Sequence, residues 1–272
     1  MMKIFRIAVS VLFAITFAVF AYTYISEKRN TDNTLPLISV DEELLEVSFK
    51  ATDEELLAGV TAFDEKDGDI TDKVIVEGIS KFTEKGVSKV TYAVCDSDNN
   101  VSKATRKIRY KDYTSPEFYM TDDLCFSIYE SINVANSLRA KDCIDGNISK
   151  NIIITSANAA TSQGVYSVDA TVTNSKGDTS TIKLPLIVED SSVSAPKIML
   201  TDYLVYHKKG KEFDPEKYIK QVIDNEENVL DLDVKIDSAV NVNKEDIYMV
   251  HYYATGAYGF RGHSVLIVSV GK

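Results

Sequence analysis

The sequence predicts an all-β protein in which three tandem antiparallel β-sandwich domains follow one N-terminal transmembrane helix. Two observations support this prediction. An uncharged apolar run lies within the first 25 residues, and after residue 35 one pattern of strands and turns occurs three times. The composition agrees, because Val, Ile, Thr and Tyr suit half-buried strands. Hydrophobic residues make up 44% of the chain, enough to build packed cores.

The amino terminus has the features of a membrane anchor. Nineteen residues without a charge, 7–25, follow the basic residues Lys3 and Arg6. A helix of about 20 apolar residues spans the hydrocarbon core of a bilayer, and basic residues ahead of it favour a cytoplasmic amino terminus. We therefore expect a cytoplasmic stub at 1–6, a signal-anchor helix at 7–25 and a flexible tether at 26–34.

A cleaved signal peptide is the alternative interpretation of the same run. Cleavage near Ala21 would suit the small-residue rule, and the protein would then be secreted. With an uncleaved anchor, the protein crosses the cell membrane once and its carboxy-terminal domains are extracellular. In that case the lipid bilayer is a partner through residues 7–25. Both interpretations place the bulk of the chain outside the cell.

Self-comparison reveals the three units after this segment. Pro36, Pro116 and Pro196 are 80 residues apart, and apolar residues recur at equal distances after each of them. Further along, the first two copies align again, 78 residues apart. Each unit ends in two long alternating segments around a polar turn, which indicates a hairpin with one face for a core.

The spacing of these patterns sets the predicted domains. We expect the first domain at 35–112, the second at 115–190 and the third, most divergent one at 195–272. The linkers between them are short. Several short strands in so small a unit are typical of an antiparallel sandwich.

The run from Leu56 to Tyr110 resembles the bacterial Ig-like surface domains, a family of unknown function also named after an Ig-like module of a pesticidal crystal protein. The resemblance implies Ig-like sandwiches, extracellular placement, multi-domain surface proteins and no chemistry. It also implies a corner tyrosine whose hydroxyl bonds back to the backbone, at Tyr166 and Tyr248. Ser88 stands at this position in the first copy, which must close its corner differently. The motif is carried by Ala62, Asp64, Asp67, Gly68, Asp69, Ile70 and Thr71.

Acidic residues cluster at the Asp-Gly turns of the first two copies. Calcium prefers several carboxylate oxygens, so the sequence raises the hypothesis of weak calcium sites, although the spacing is not a complete EF-hand loop. Turn formation accounts for the same residues, because glycine supplies a positive φ. No other cofactor is expected. The candidate calcium ligands are Asp64, Asp67 and Asp69 in the first copy and Asp142 and Asp145 in the second.

The aromatic residues Tyr258 and Phe260 lie in the last turn of the third copy. Aromatic side chains at the end of a chain of domains suit recognition of an extracellular protein or a glycan. We therefore predict a binding tip there, at the membrane-distal end.

The cysteines and histidines give weaker patterns. Cys95, Cys125 and Cys143 fit no zinc spacing. A Cys125–Cys143 bridge and free thiols both remain open. His251 and His263 flank the last hairpin, where ordinary strand positions explain them better than a surface metal pair.

Charge and motifs restrict the function. The net charge of the whole chain is −11. Residues 1–30 have a net charge of +3, so the rest of the chain carries −14 and is strongly acidic. Such a surface repels phosphates, which argues against nucleic-acid partners. The sequence contains no nucleophile elbow, phosphate-binding loop or dinucleotide fingerprint. We therefore expect no enzyme but a surface stalk for adhesion or for presenting a binding tip. The alternatives are a structural partner of an envelope complex and, remotely, an envelope carbohydrate hydrolase.

Overall fold

The computed structural model describes residues 2–30, 33–155 and 162–271. The chain divides into two compact units, Met1–Lys111 and Asp112–Lys272. The first unit contains the N-terminal helix and one β-sandwich, and the second contains two further sandwiches. This architecture confirms the predicted fold class of repeated all-β sandwiches.

The N-terminal helix α1 runs from Met2 to Asn30. Its segment Phe5–Ser26 has a mean hydropathy of 2.0, so it is long and apolar enough to cross a membrane. A signal sequence would have the same properties. The helix continues past the predicted anchor at 7–25 into the predicted tether at 26–34, where Glu, Lys and Arg are good helix formers. Thr31 and Asp32 of that tether lie outside the described residues.

The first sandwich consists of two sheets with the strand orders β1-β3-β4 and β2-β7-β6-β5. One helical turn, α2 (Asp53–Leu56), precedes β3 and is capped by Thr52 and Glu55, whose side chains bond each other's backbone amides. The strands are β1 (Leu37–Val40), β2 (Leu44–Val47), β3 (Val60–Asp64), β4 (Gly68–Asp69), β5 (Ile75–Ile79), β6 (Val87–Cys95) and β7 (Val101–Tyr110).

The second sandwich repeats this plan with sheets β8-β10-β11 and β9-β14-β13-β12. A single helical turn, α3 (Val134–Ser137), leads into β10. The strands are β8 (Glu117–Met120), β9 (Cys125–Ser127), β10 (Leu138–Asp142), β11 (Gly146–Asn147), β12 (Ile153–Ile154), β13 (Gly164–Thr173) and β14 (Thr179–Glu189).

The third sandwich has sheets β15-β17-β18 and β16-β21-β20-β19. A 3₁₀ turn, Pro215–Tyr218, precedes β17. The first two sandwiches also contain a 3₁₀ turn each, Thr71–Lys73 before β5 and Ser149–Asn151 before β12. The strands are β15 (Lys197–Leu200), β16 (Leu204–Lys208), β17 (Ile219–Ile223), β18 (Val229–Leu230), β19 (Lys235–Ser238), β20 (Asp246–Thr255) and β21 (Arg261–Gly271).

One feature of all three sandwiches goes beyond the predicted antiparallel pattern. The short second strand of each copy pairs in parallel with the last strand, as β2 with β7, β9 with β14 and β16 with β21. The first and second strands therefore belong to different sheets, and the chain between them crosses from one sheet to the other. This crossing closes one side of each sandwich.

The long hairpins contribute much of each core through period-two alternation. In β6, Val90, Tyr92 and Val94 are buried, and in β20 the corresponding side chains are Val250, Tyr252 and Ala254. Tyr92 and Tyr252 each donate their buried hydroxyl to a backbone carbonyl, of Leu56 and Pro215 respectively. The cores of the second and third sandwiches form one continuous buried cluster.

The predicted corner tyrosines are confirmed. The hydroxyl of Tyr166 donates to the carbonyl oxygen of Ser162 at 2.8 Å, and that of Tyr248 donates to Lys244 at 3.2 Å. In the first sandwich the hydroxyl of the buried Ser88 donates instead to the carbonyl of Ser80 at 3.1 Å. A smaller side chain therefore secures that corner.

Candidate functional site

The predicted calcium ligands of the first sandwich act within turns. Asp64 Oδ1 accepts hydrogen bonds from the backbone N–H groups of Lys66 (2.9 Å) and Asp67 (3.0 Å), and Gly68 follows with φ = 77°. The Asp67 carboxylate accepts from the N–H and hydroxyl of Ser97, at 2.7 and 2.6 Å. These bonds, and then Lys73, hold the pKa of Asp67 below its usual value.

Asp69 bonds within the same segment. Its Oδ1 accepts from the N–H of Thr71 at 3.0 Å. The hydrogen bonds from Thr71 lower the pKa of Asp69.

The second sandwich repeats this arrangement. Asp142 Oδ1 accepts from the N–H groups of Ile144 and Asp145, and Asp145 accepts from both the N–H and hydroxyl of Ser175, at 2.6 and 2.7 Å. In each copy an aspartate thus joins the Asp-Gly turn to the turn of the long hairpin. Calcium binding at these aspartates stays a prediction.

The predicted binding-tip residues lie in the turn between β20 and β21. Tyr258 is 89% exposed and Phe260 is 43% exposed. Their turn lies beside the linker before β15, since a Cβ at Gly262 would overlap the backbone of Pro196. In a sandwich of this topology the last hairpin turn lies at the end where the first strand begins. The turn therefore lies where the second sandwich joins the third. That this end is distal to the membrane stays a prediction.

The exposed turn borders an open groove at this junction. The groove has a volume of about 580 Å³ and is lined by Phe260, by Tyr129 of the second sandwich and by Val193 of the linker between the second and third sandwiches. Tyr129 and Val193 are both largely exposed. We call Tyr129, Val193, Tyr258 and Phe260 the junction patch.

A cluster of chemically reactive side chains lies at the same junction. Cys125 on β9, Glu189 at the end of β14 and His263 on β21 present their ligand atoms to one another. His263 Nδ1 is 2.9 Å from Glu189 Oε2 and 3.5 Å from Cys125 Sγ, and Cys125 Sγ is 3.5 Å from Glu189 Oε1. We call these three residues the junction cluster.

Neighbouring rings hold His263 in place. Its Nε2 lies 2.9 Å from His251 Nδ1, and its ring stacks on Tyr253 with centroids 4.5 Å apart. Arg261 lies 3.6 Å above the Tyr253 ring. Both ring nitrogens of His263 are therefore engaged, and its side chain is only 6% exposed.

Burial and charge shift the ionisation of this cluster. The hydrogen bond from His263 lowers the pKa of Glu189 below its usual value. Burial, then the nearby carboxylates of Asp123 and Glu189, raise the pKa of the Cys125 thiol far above its usual value. Burial also lowers the pKa of His251. The cluster thus places a thiol whose ionisation is disfavoured beside the carboxylate of Glu189 and the ring of His263.

Polar contacts join the two sandwiches around this cluster. Asp123 Oδ2 accepts from Ser264 Oγ at 2.5 Å and from the N–H of Val265 at 3.3 Å. Lys197 Nζ is 2.8 Å from Asp122 Oδ2. A cavity of about 450 Å³ reaches the junction cluster from solvent.

The three cysteines are free. Cys125 belongs to the junction cluster, whereas Cys143 Sγ donates to the carbonyl of Thr114 at 3.3 Å, where the chain enters the second sandwich. The two thiols therefore lie at opposite ends of that sandwich, which excludes the bridge in this structure.

Sequence reasoning missed the junction cluster, because Cys125 and His263 are 138 residues apart. Sequence order gives no sign that an early strand of one domain and the last strand of the next meet. The only available signal was a histidine pair on the last hairpin.

The comparison with family models bears on the first sandwich. Residues 53–109 match the model described as bacterial surface protein, Ig-like domain. This match confirms the resemblance noted for Leu56–Tyr110 and identifies the first sandwich with a domain type of surface proteins. A search of the curated proteins found no match.

Solved structures resemble the chain weakly. One is the M60 catalytic domain with the CBM51-1 and CBM51-2 domains of ZmpB from Clostridium perfringens, which is 14% identical with a TM-score of 0.23. That match covers 86% of this chain and 30% of the other, so the chain spans less than a third of that structure. Another is Drosophila N-cadherin EC1-4, 15% identical with a TM-score of 0.23, which covers 89% of this chain and 67% of the other. Likeness of this degree says nothing about activity.

Proposed function

We propose that the protein is a non-enzymatic bacterial surface protein, anchored in the membrane by α1, whose Ig-like sandwiches form a stalk for adhesion. The match of residues 53–109 to a bacterial surface-protein domain carries this proposal. The apolar segment Phe5–Ser26 supports the anchor and the bilayer as a partner. The acidic charge of the remainder supports a partner other than nucleic acid.

The junction patch is the proposed ligand-binding surface. Exposed aromatic rings stack on sugar faces or become buried against another protein, and such residues often dominate binding. The ligand is accordingly an extracellular protein or a glycan. The groove beside Phe260 supplies the concave surface that such a ligand needs.

Thiol labelling of intact cells tests the placement. Cys95 is exposed in the first sandwich, so a variant with C125S and C143S retains one accessible thiol. We expect a membrane-impermeant maleimide to label this variant on intact cells, and we expect no label when C95S is added. Labelling only after permeabilisation would contradict the extracellular placement.

The intact mass of the purified chain separates an uncleaved anchor from cleavage near Ala21.

An array of glycans and matrix proteins tests the adhesion role with the full chain in detergent micelles. We expect the Y258A/F260A variant to lose the binding of the wild type. The control F63A removes an exposed aromatic ring from the first sandwich and should bind normally. Purification with one fixed envelope protein, without array binding, would instead support the structural-partner alternative.

A further inference from the structure

We propose that Cys125, Glu189 and His263 bind one zinc ion that joins the second sandwich to the third. This inference does not depend on the adhesion role. Cys125 and Glu189 belong to the second sandwich and His263 to the third. An ion bound to all three would therefore link two domains that otherwise meet through hydrogen bonds, the Lys197–Asp122 ion pair and apolar contacts.

The donor set suits zinc. Thiolate sulfur, imidazole nitrogen and carboxylate oxygen are its usual protein ligands, with bonds of about 2.3 Å to sulfur and about 2.0–2.2 Å to nitrogen or oxygen. Tetrahedral ligands at these bond lengths lie about 3.3–3.5 Å from one another. The Cys125 Sγ–His263 Nδ1 and Cys125 Sγ–Glu189 Oε1 distances are both 3.5 Å, close to this separation. Glu189 Oε2 lies 2.9 Å from Nδ1, which is a hydrogen-bond distance, so an ion would replace this hydrogen bond when it binds Nδ1.

The ligands come from a regular backbone. β9 pairs in parallel with β14, which sets Cys125 opposite Ile187 and places Glu189 two residues further along the neighbouring strand. His263 lies on β21, where it pairs with Tyr253 of β20. Because strands hold all three side chains, little reordering is needed for them to meet around an ion.

His251 is the positioning residue for this site. A ligating histidine usually donates its other ring N–H to a neighbour, which fixes its tautomer. His263 Nε2 lies 2.9 Å from His251 Nδ1, the geometry that this contact requires. On metal binding, His263 stays neutral and carries its proton on Nε2, which donates to His251, while Nδ1 binds zinc.

The proton balance follows from the same groups. The Cys125 thiol loses its proton to solvent and binds as the thiolate. Burial disfavours that thiolate, as do the carboxylates of Asp123, Glu189 and Glu130. A dication offsets both effects, because it neutralises the surrounding negative charge. Water from the adjoining cavity fills the fourth coordination position.

Cobalt substitution tests the site directly. We expect the full-length, detergent-solubilised chain to bind about one Co²⁺ with a thiolate-to-cobalt charge-transfer band, and Zn²⁺ to displace it. C125S should abolish the band, whereas the controls C95S and C143S should keep it. No band in the wild type, or a band that persists in C125S, would overturn the proposal.

Two further sets of variants separate ligation from folding. E189Q and H263Q should lose Zn²⁺ binding in calorimetry while their far-ultraviolet circular dichroism matches that of the wild type, and H207Q should bind normally. H251F should weaken Zn²⁺ binding by about 10–100-fold, and H251Q, which keeps an acceptor, should restore much of it. Unchanged affinity in folded H263Q would overturn the assignment.

Discussion

Asp123 of the second sandwich accepts a hydrogen bond from Ser264 of the third, with Asp123 Oδ2 2.5 Å from Ser264 Oγ. Burial raises the pKa of Asp123 from 3.8 to about 6, although the bonds from Ser264, Cys125 and Val265 oppose this shift. The carboxyl group at this domain junction thus holds its proton more tightly than it does in the unfolded chain.

This relationship predicts a pH dependence of stability. A group with a raised acid pKa contributes stability that is complete below the unfolded pKa, near pH 4, and is lost as the pH rises through about 6. Two pKa units correspond to about 3 kcal/mol. In urea unfolding of the full chain between pH 4 and 7, D123N should therefore lose less stability than the wild type as the pH rises. The surface control D231N should follow the wild type, and equal slopes in D123N and wild type would contradict the assignment.

The corner tyrosines should contribute measurable stability. Y166F and Y248F each remove a hydroxyl that bonds a backbone carbonyl, and one such bond contributes about 0.5–1.5 kcal/mol. We expect each variant to unfold at lower urea concentration than the wild type. Y129F alters an exposed tyrosine of the second sandwich and should change nothing. If Y129F has the same effect as Y166F, the corner bond is not the cause.

Arg106 occupies a core position that the other two sandwiches fill with leucine. Its side chain is 2% exposed and donates to the carbonyl of Ala58 at 2.6 Å and to Asp41 Oδ1 at 3.0 Å. The corresponding residues, Leu184 and Leu266, are buried.

We predict that R106L unfolds within about 1 kcal/mol of the wild type, since an ion pair with a partner as exposed as Asp41 contributes little and leucine fills the same position in the other two sandwiches. R106A should be about 2–5 kcal/mol less stable than R106L, because it leaves a cavity. Chemical denaturation measures both. A large loss in R106L would show that the bonds to Ala58 and Asp41 dominate over packing.

Thermal melts with calcium or a chelator decide between the two interpretations of the aspartate turns. Asp67 and Asp145 already bond Ser97 and Ser175, so we expect the midpoint to be the same in both solutions. D67N should melt below the wild type in both, since it weakens the contact between the turns, while D72N should not. A rise with calcium in the wild type that is absent in D67N would establish a calcium site.

Much of the fold could be predicted from local patterns. The alternating apolar residues Val90, Tyr92 and Val94 predict which face of β6 is buried without knowledge of the neighbouring strands. Successive side chains of any strand point to opposite faces, because this period is a property of the strand's own backbone. The corner bond from Tyr166 spans only four residues, and the resemblance to the Ig-like surface domains implied it. The apolar run of α1 likewise depends on composition alone.

The site depended on tertiary structure. Tyr258 and Phe260 are recognisable as an exposed turn, yet the position of Phe260 beside Tyr129 and Val193 follows from the way one sandwich packs on the next. The cluster of Cys125, Glu189 and His263 forms only because β9, β14 and β21 meet at that contact.

By itself, the sequence determined the repeated sandwiches, their turns and the apolar leading helix, because these features depend on residues near one another in the chain. The tertiary structure alone decided which side chains of the second and third sandwiches face each other. Packing between domains depends on the shape and burial of residues that are far apart in sequence. A repeating pattern of neighbouring residues therefore does not predict which side chains meet at such a contact.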